Sequence, residues 1–151
     1  MSEQNPIRVF VTHTFAEDPD YHRVFEYLES TPNFFYSNCS APDRLPAAGG
    51  KEAVREELRK QISAAETVVV LSSLYEDNLD WVNYEMDVAE ANDLPLIVLE
   101  PFGTAAAVPE ALAARAAEVV PWNERSIIDA LRRQARHEET TRWDVIDFEM
   151  P

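Results

Sequence analysis

Three short apolar runs constrain the fold of this 151-residue chain more than any other feature. Residues 7–12 (IRVFVT), 67–71 (TVVVL) and 96–99 (LIVL) are rich in β-branched residues and almost free of charge. Strands of this composition are typical of a parallel sheet that is covered by other elements on both faces. The stretches between them show helical periodicity, so the chain is predicted to be an α/β protein whose strands alternate with helices.

The remaining elements extend this alternation along the chain. Residues 33–37 and 118–120 are two further strand candidates, and the first run, 7–12, is expected to be the central strand. The predicted architecture is therefore a three-layer α/β domain with a five-stranded parallel sheet, as in flavodoxin-like folds. Apolar residues at helical spacing predict the helices, which are residues 20–29, 51–62, 79–92 and 126–136, with a weakly helical segment at 105–117.

One domain accounts for most of the chain. Residues 1–136 carry all the predicted strands and helices, and the sequence has no repeat or linker between them. Residues 137–151 form a tail in which apolar and acidic residues alternate. Because exposed apolar side chains gain by burial, we expect this tail to dock on its own domain or to bind a partner. Its large apolar residues are Trp143, Val145, Ile146 and Phe148.

The charge and the cysteine content exclude several classes of protein. The formal net charge is −15, which disfavours binding to nucleic acid or to anionic membranes. No apolar run approaches the length of a membrane-spanning helix, and the first residues do not resemble a secretion signal, so we expect a cytoplasmic protein. Cys39 is the only cysteine, and no cysteine and histidine cluster has the spacing of a zinc site, so no metal is expected.

The predicted helix 79–92 carries a carboxylate on its apolar side. At about 100° per residue, Glu85 lies between Val82 and Val88 in azimuth and one turn after Trp81. Burial of a carboxylate is costly unless it is paired, and burial raises its pKa into the range that is useful for catalysis near neutral pH. Two interpretations stay open: a functional carboxyl group, or a side chain that forms an ion pair or reaches water past the end of the sheet.

Polar residues follow three of the predicted strands. In an open α/β sheet, the loops at the carboxyl ends of the strands form the ligand site, so these loops and Glu85 are expected to surround one cleft. The long loop 38–50 contains two prolines and two glycines and is either functional or disordered. Neither a glycine-rich dinucleotide motif nor a Walker A motif occurs in the sequence. The loop residues are His13, Thr14 and Phe15, then Asn38, Cys39 and Ser40, then Ser72 and Ser73.

These residue types together suit a sugar. Trp81 offers a flat wall for a ring, the hydroxyl and amide groups offer hydrogen bonds, and the Glu85 carboxylate can stabilise an oxocarbenium-like transition state. His13 is either a catalytic group or an ordinary loop histidine, and the sequence alone leaves both open.

Three segments in this order resemble the motifs of TIR domains. Residues 80–85 (DWVNYE) resemble the Trp-x-x-x-Glu helix motif of the enzymatic members, and residues 7–13 resemble the first box of the family. Asp43 and Arg44, followed by a proline and two glycines, occupy the position of the BB loop. The resemblance covers residues 7–135 and is greatest to the TIR-like proteins of bacterial and archaeal anti-phage systems, the Thoeris ThsB type.

This resemblance implies an enzyme that cleaves NAD at the bond between nicotinamide and ribose. The product would be ADP-ribose or a cyclic isomer, made as a nucleotide signal in anti-phage defence, with NAD as the substrate and no further cofactor. Glu85 would be the catalytic glutamate, in contact with the ribose or with the oxocarbenium ion. The residues that the resemblance implies for the cleft are His13, Thr14, Phe15, Asn38, Ser72, Ser73 and Trp81.

An anionic diphosphate needs local positive charge in so acidic a protein. Arg44 and Lys51 flank the long loop, and the first-turn amides of the helix that begins near Lys51 also favour anions. We therefore expect these two side chains to contact the phosphates. The alternative is that they are solvated or pair with neighbours such as Asp43 and Glu52.

Two other functions stay open at this point. A TIR-like domain that only mediates protein assembly would have the same fold and can retain the glutamate. A nucleoside deoxyribosyltransferase-like enzyme also sets a glutamate against ribose, but it would use deoxynucleosides and ignore NAD. The leading interpretation further implies self-association and a separate effector protein that responds to the product, with no nucleic acid or membrane as a partner.

Overall fold

Five parallel strands form one sheet in the part of the chain that the computed structural model describes, residues 2–103 and 107–137. The strands are β1 (Ile7–Val11), β2 (Tyr36–Asn38), β3 (Thr67–Leu71), β4 (Leu96–Leu99) and β5 (Glu118–Val120). Their order across the sheet is β2-β1-β3-β4-β5, and every neighbouring pair is parallel. The predicted parallel five-stranded sheet is confirmed.

Helices connect these strands and cover both faces of the sheet. Within the described ranges they are α1 (Pro19–Glu29), α2 (Gly50–Ser63), α3 (Ser72–Tyr75), α4 (Leu79–Ala91), α5 (Glu110–Ala113) and α6 (Glu124–Arg136).

The side chains of the sheet pack into two separate cores, one on each face. Val9 and Val69 belong to the core that α1 and α6 cover, together with Val24 and Ile127 from those helices. Phe10 and the other strand residues that point to the opposite face belong to the second core. The inward residues of α2 and α4 complete it. The two cores and the sheet between them make the predicted three-layer architecture, because successive strand residues point to opposite faces.

Two helices begin where a side chain caps them. The carboxylate of Asp18 accepts a hydrogen bond from the Asp20 N–H (2.9 Å), and Pro19 stands in the first turn of α1. The Asn123 side chain caps α6 in the same way by accepting from the Ser126 N–H (3.0 Å). These caps explain why α1 and α6 begin slightly before the starts that apolar spacing predicts.

The prediction that residues 7–12 form the central strand is wrong. β3 lies in the middle of the sheet, with β2 and β1 on one side and β4 and β5 on the other. The composition of β1 does not distinguish the two positions, because both are interior strands that helices cover on both faces.

The second strand also differs from its prediction. The expected strand at 33–37 is observed as β2, which is only Tyr36–Asn38. Asn33 has a φ of +60°, a left-handed conformation that does not continue a strand, and the Phe34 side chain is buried in the core beside α1 and α6. The aromatic residues favour a strand locally, but their packing in the tertiary structure overrides that preference.

Two further segments depart from the sequence prediction. Ser72 and Ser73 do not form a loop, since α3 begins with them directly after β3. In the alanine-rich segment 105–117, the described residues are helical only over Glu110–Ala113, directly after Pro109.

The loop between β2 and α2 ends at a glycine that the backbone requires. Gly49 has a φ of +102°, and a Cβ at this position would lie 2.7 Å from the Cβ of Ala53. Any other residue there would be strained and would clash with the first turn of α2.

The predicted tail begins at His137, which follows α6 in the left-handed conformation. Its other residues, 138–151, lie outside the described residues, so the docking of the tail stays a prediction. In the ranges that are described, no helix combines the length and the apolar character needed to cross a membrane.

Candidate active site

The chain that leaves β1 is held against β3 at the carboxyl edge of the sheet. The Thr12 N–H donates to the Val69 carbonyl (3.0 Å), and the Thr12 hydroxyl accepts a hydrogen bond from the Leu71 N–H (3.1 Å). Thr12 is fully buried, so these bonds fix the backbone from which the next residue, His13, projects.

Helix α4 carries Glu85 into the protein interior. Val82, Met86 and Ala89 bury one face of α4 against the sheet, and Glu85 lies on that same face with none of its surface exposed. Its Oε1 accepts a hydrogen bond from the His13 N–H (3.0 Å). Its Oε2 is buried without a hydrogen-bond partner among the described residues.

This environment destabilises the charge on Glu85. Burial raises its pKa well above the ordinary value of 4.5, and the single hydrogen bond from the His13 backbone only partly opposes the effect. Within residues 2–103 and 107–137 the carboxyl group forms no ion pair, and it does not reach water. Among the described residues Glu85 is therefore neither exposed nor ion-paired, contrary to the alternative interpretation.

His13 lies beside Glu85 and has a defined tautomer. Its Nδ1 accepts a hydrogen bond from the Phe15 N–H (3.2 Å), so the ring proton is on Nε2, which donates to the Gln61 Oε1 (2.9 Å). Only 1% of the residue is exposed, and burial lowers its pKa despite that hydrogen bond. His13 is therefore a neutral imidazole, held on both sides, near neutral pH.

Phe15 packs against the His13 ring. The two ring centroids are 4.7 Å apart with the planes nearly perpendicular, the edge-to-face arrangement that aromatic pairs favour. Phe15 has a φ of +61°, a conformation that is uncommon outside glycine and that clusters at functional sites.

A small cavity opens next to this cluster. Its volume is about 130 Å³, and Trp81 from α4 forms one of its walls. Glu85 does not line it, although its hydrogen-bond partner His13 does. The lining residues are His13, Thr14, Phe15, Leu45, Val54, Leu58 and Trp81.

A second, larger groove also borders Trp81. It runs between α2 and α4, has a volume of about 310 Å³ and includes Lys51 and Arg55 from the first turns of α2. Acidic residues of α4 face these two cations. The lining residues are Lys51, Arg55, Asp80, Trp81, Asn83, Tyr84 and Asp87.

The structure does not bring all the expected cleft residues together. Asn38 is exposed, with its amide bonded to Tyr21 (3.0 Å) rather than directed at the cavity. Ser72 donates its hydroxyl to the Leu99 carbonyl (2.6 Å), and Ser73 donates to Asp20 of α1 (2.6 Å). These three residues line neither the small cavity nor the groove.

Of the two expected phosphate contacts, only one borders a groove. Lys51 lines the groove between α2 and α4, whereas Arg44 lines neither the groove nor the cavity. Arg44 is exposed, and its backbone N–H donates to the Ala41 carbonyl (3.1 Å).

Sequence reasoning missed Gln61, the residue that joins several parts of this site. Gln61 is 5% exposed and lies on the inward face of α2 between Leu58 and Ile62, two core residues. A polar residue on an apolar helix face is the same signal that singles out Glu85 in α4, and it was available in the sequence of α2.

Comparison with known proteins now adds to this geometry. A sequence model of the family described as Thoeris protein ThsB, TIR-like domain, matches residues 10–106, more than half of the chain. The chain belongs to the Thoeris ThsB TIR-like family. The part of this TIR-like domain that matches contains His13, Gln61 and Glu85 together, so the match covers the whole buried cluster.

The other comparisons add little to the TIR-like assignment. No curated protein matches the chain. Among solved structures, a 3-dehydroquinate dehydratase-like protein from Bifidobacterium longum has a TM-score of 0.47 and 11% identity, over 93% of this chain and 100% of that one. Both values are low, so that protein's name has no bearing on the activity of this TIR-like domain. In the described residues, no group of three or more histidine, cysteine or acidic side chains is placed to hold a metal ion.

Proposed function

We propose that this TIR-like domain cleaves NAD between nicotinamide and ribose and releases a nucleotide signal in anti-phage defence. The observation that carries the proposal is the Glu85 carboxyl group, which is fully buried at the carboxyl edge of the sheet, with one oxygen that has no partner among the described residues. Burial of an uncompensated carboxyl group costs stability, and carboxyl groups with strongly shifted pKa values cluster at functional sites. The Trp81 to Glu85 spacing on α4 is that of the enzymatic TIR-like helix motif.

In the proposed reaction Glu85 stabilises a cation. The glycosidic bond between ribose C1′ and the pyridinium nitrogen breaks, and its electron pair goes to the nitrogen, so that nicotinamide leaves as a neutral molecule. The remaining oxocarbenium ion is stabilised by the ionised Glu85 carboxylate. The positive charge of the substrate opposes the effect of burial and favours this ionised form. Water, or a nucleophilic atom of the same ADP-ribose unit, then bonds to C1′ and loses any proton it carries.

The substrate would span both openings beside Trp81. Sites for molecules of this size have volumes of about 300–1,000 Å³, so the 130 Å³ cavity alone admits only the nicotinamide and ribose end. The larger groove that Trp81 also lines would take the rest of NAD, with Lys51 near the diphosphate. Arg44 would reach it only after the loop moves.

Access to Glu85 requires a rearrangement of the residues that cover it. The turn 13–15 and the loop 39–49 together close the cavity, and Leu45 from that loop is 58% exposed although it lines the opening. An exposed apolar side chain at the mouth of a cavity is favourably placed to pack on a ligand ring. We therefore place the opening motion in these two segments.

The sealed state of Glu85 also favours a second candidate, a non-enzymatic assembly module. A carboxyl group with no exposed surface cannot contact a substrate until the domain opens. For the enzyme, self-association is one event that would open the site. A separate effector protein would then respond to the product, which is either ADP-ribose or a cyclic isomer. Under the assembly alternative, the same surfaces would change without any turnover.

An assay with the full chain separates these functions. NAD and, in parallel, a mixture of deoxynucleosides and free bases are incubated with the protein, and the products are identified by mass spectrometry. Nicotinamide release with ADP-ribose or an isomer supports the proposal. Exchange of bases between deoxynucleosides supports the transferase alternative, and failure both to turn NAD over and to bind it in calorimetry supports the assembly module.

A further inference from the structure

Gln61 occupies an interior position where an apolar residue would be expected. The neighbouring inward positions of α2, Leu58 and Ile62, are core residues with at most 1% exposure. A buried amide costs free energy unless every polar atom is bonded, and an apolar residue of similar size would carry no such cost. Gln61 therefore needs an explanation beyond filling the core.

Its amide has every hydrogen-bonding position occupied. Oε1 accepts from the Ala41 N–H (2.9 Å) and from the His13 Nε2–H (2.9 Å), while Nε2 donates to the Ala41 carbonyl (3.2 Å) and to Glu57 (2.9 Å). A glutamine side chain can make four such bonds, two as acceptor and two as donor. The Ala41 N–H can only donate, which fixes the orientation of the amide.

These bonds join three separate segments of the proposed site. Ala41 belongs to the loop 39–49, His13 to the turn after β1, and Gln61 to α2. The His13 ring that Gln61 holds accepts from the Phe15 N–H, and the His13 backbone N–H donates to Glu85. These hydrogen bonds, joined through the covalent structure of His13, thus connect the loop to the carboxyl group.

We propose that Gln61 is a positioning residue that couples the loop 39–49 to Glu85 by accepting the hydrogen bond from the His13 Nε2–H. When the loop moves, Gln61 loses its hydrogen bonds to the Ala41 peptide, and its hydrogen bond with the His13 ring changes as a result. The turn 13–15 then relaxes, and the His13 N–H no longer holds Glu85 in the sealed position. This coupling rests on the proposed function for its effect on turnover, but the hydrogen-bond chain itself does not.

The test compares Gln61→Met with a matched control. Methionine has nearly the length of glutamine and suits a helix, but it cannot bond to Ala41 or His13. Thr67→Val is the control, because it also removes a hydrogen bond of a buried side chain, the partly buried bond from the Thr67 hydroxyl to the Pro95 carbonyl (3.0 Å), at the opposite edge of the sheet. Two readouts are taken: the ¹⁵N chemical shifts of the histidine rings and the steady-state kinetics with NAD.

Wild type is expected to show the Nε2–H tautomer for His13 and slow exchange of the Ala41 amide compared with the exposed loop residues that follow it. Gln61→Met is expected to shift the His13 Nε2 resonance, because that N–H loses its acceptor, and to lower kcat about tenfold with a smaller change in KM, since misplacement near the reacting atoms costs rate. Thr67→Val is expected to keep both the wild-type His13 shifts and kcat.

Retention of the wild-type His13 shifts and kcat in Gln61→Met would overturn the proposal. If that variant does not fold, the wild type still decides, because a mixed His13 tautomer or a rapidly exchanging Ala41 amide contradicts the coupling. If wild type releases no nicotinamide, the proposed function fails, while the difference in His13 ring shifts between wild type and Gln61→Met continues to decide whether Gln61 holds His13.

Discussion

Two carboxylates at opposite edges of the sheet show how differently this fold treats the same functional group. Glu66 directly precedes β3 at the amino edge, and Glu85 lies at the carboxyl edge. Glu66 accepts from the Arg136 guanidinium and from the Arg8 N–H (2.9 Å), and only 14% of its side chain is exposed. Burial alone would raise its pKa, but these hydrogen bonds outweigh burial and lower it.

Glu85 lacks that compensation. It has one backbone N–H, no cation and one buried oxygen without a partner among the described residues, and burial raises its pKa. The comparison teaches that a paired carboxylate stabilises the fold, whereas an uncompensated one costs stability and is available for chemistry.

The largest expected effect is on turnover. Glu85→Gln keeps the shape and the bond from the His13 N–H but removes the ionisable group. It should lower NAD turnover by about 10²–10³-fold or more, the scale seen when a transition-state stabiliser is lost. Nicotinamide release at saturating NAD measures it.

Glu90→Gln is the matched control for this change. Glu90 lies on the outer face of the same helix, where its side chain is 47% exposed and pairs with Arg115. Its turnover should stay close to that of wild type. Wild-type turnover in Glu85→Gln would remove Glu85 from the chemistry.

The next expected effect is on stability and concerns the other carboxylate, Glu66. Glu66→Gln removes the charge that Arg136 and Arg8 face, so it should lower the free energy of unfolding by about 2–3 kcal/mol. For a domain of this size that is about 5–10 °C in Tm, measured by calorimetry. Turnover should change little. A Glu66→Gln protein as stable as wild type would end the contrast between the two edges.

The pH dependence of stability should have opposite signs for the two sites. The folded pKa of Glu85 is above 4.5, so its folded form binds the proton more tightly, and stability is lost as pH rises through that folded pKa. Glu85→Gln should therefore gain in Tm relative to wild type as pH rises above 4.5. Glu66 has a lowered pKa, so its contribution is present above 4.5 and is lost as pH falls through the folded pKa.

Thermal melts of the three proteins across this pH range test both signs. The Tm deficit of Glu66→Gln should shrink on acidification, while the relative gain of Glu85→Gln should grow on making the solution more basic. The contribution of His13 to the stability of the fold is also lost at acid pH, because its folded pKa is lowered. This effect is shared by all three proteins. Parallel curves for both variants would contradict the assignment of opposite shifts.

The smallest expected effect concerns substrate binding at the Glu85 edge. Lys51→Ala should raise KM for NAD by about twofold to fivefold with little change in kcat, because a phosphate contact far from the reacting bond acts equally in ground and transition states. Arg44→Ala should act in the same direction but less, since Arg44 lines neither opening.

Lys60→Ala on the same helix serves as the control for lost positive charge. Lys60 is exposed and does not line the groove. Equal KM values in the Lys51 and Lys60 variants would mean that only net charge matters, and the groove would lose its assignment to the diphosphate.

The strands and the inward glutamate were determined by the sequence itself. Residues 67–71, 96–99 and 118–120 are observed as strands with the predicted bounds, because runs of β-branched and apolar residues suit a sheet covered on both faces. Glu85 could be placed on the buried face of α4 because the azimuth of a helical residue follows from its number alone.

The tertiary structure decided everything that depends on contacts between distant residues. Nothing local in the sequence states that β3 rather than β1 is central, that Asn33 turns the chain out of strand conformation, or that Ser72 bonds to Leu99. The partners of Gln61 likewise come from a loop and a turn far away in the chain. Hydrogen bonds of this kind depend on the packing of several elements at once, whereas hydrophobic periodicity depends only on the residues of a single element.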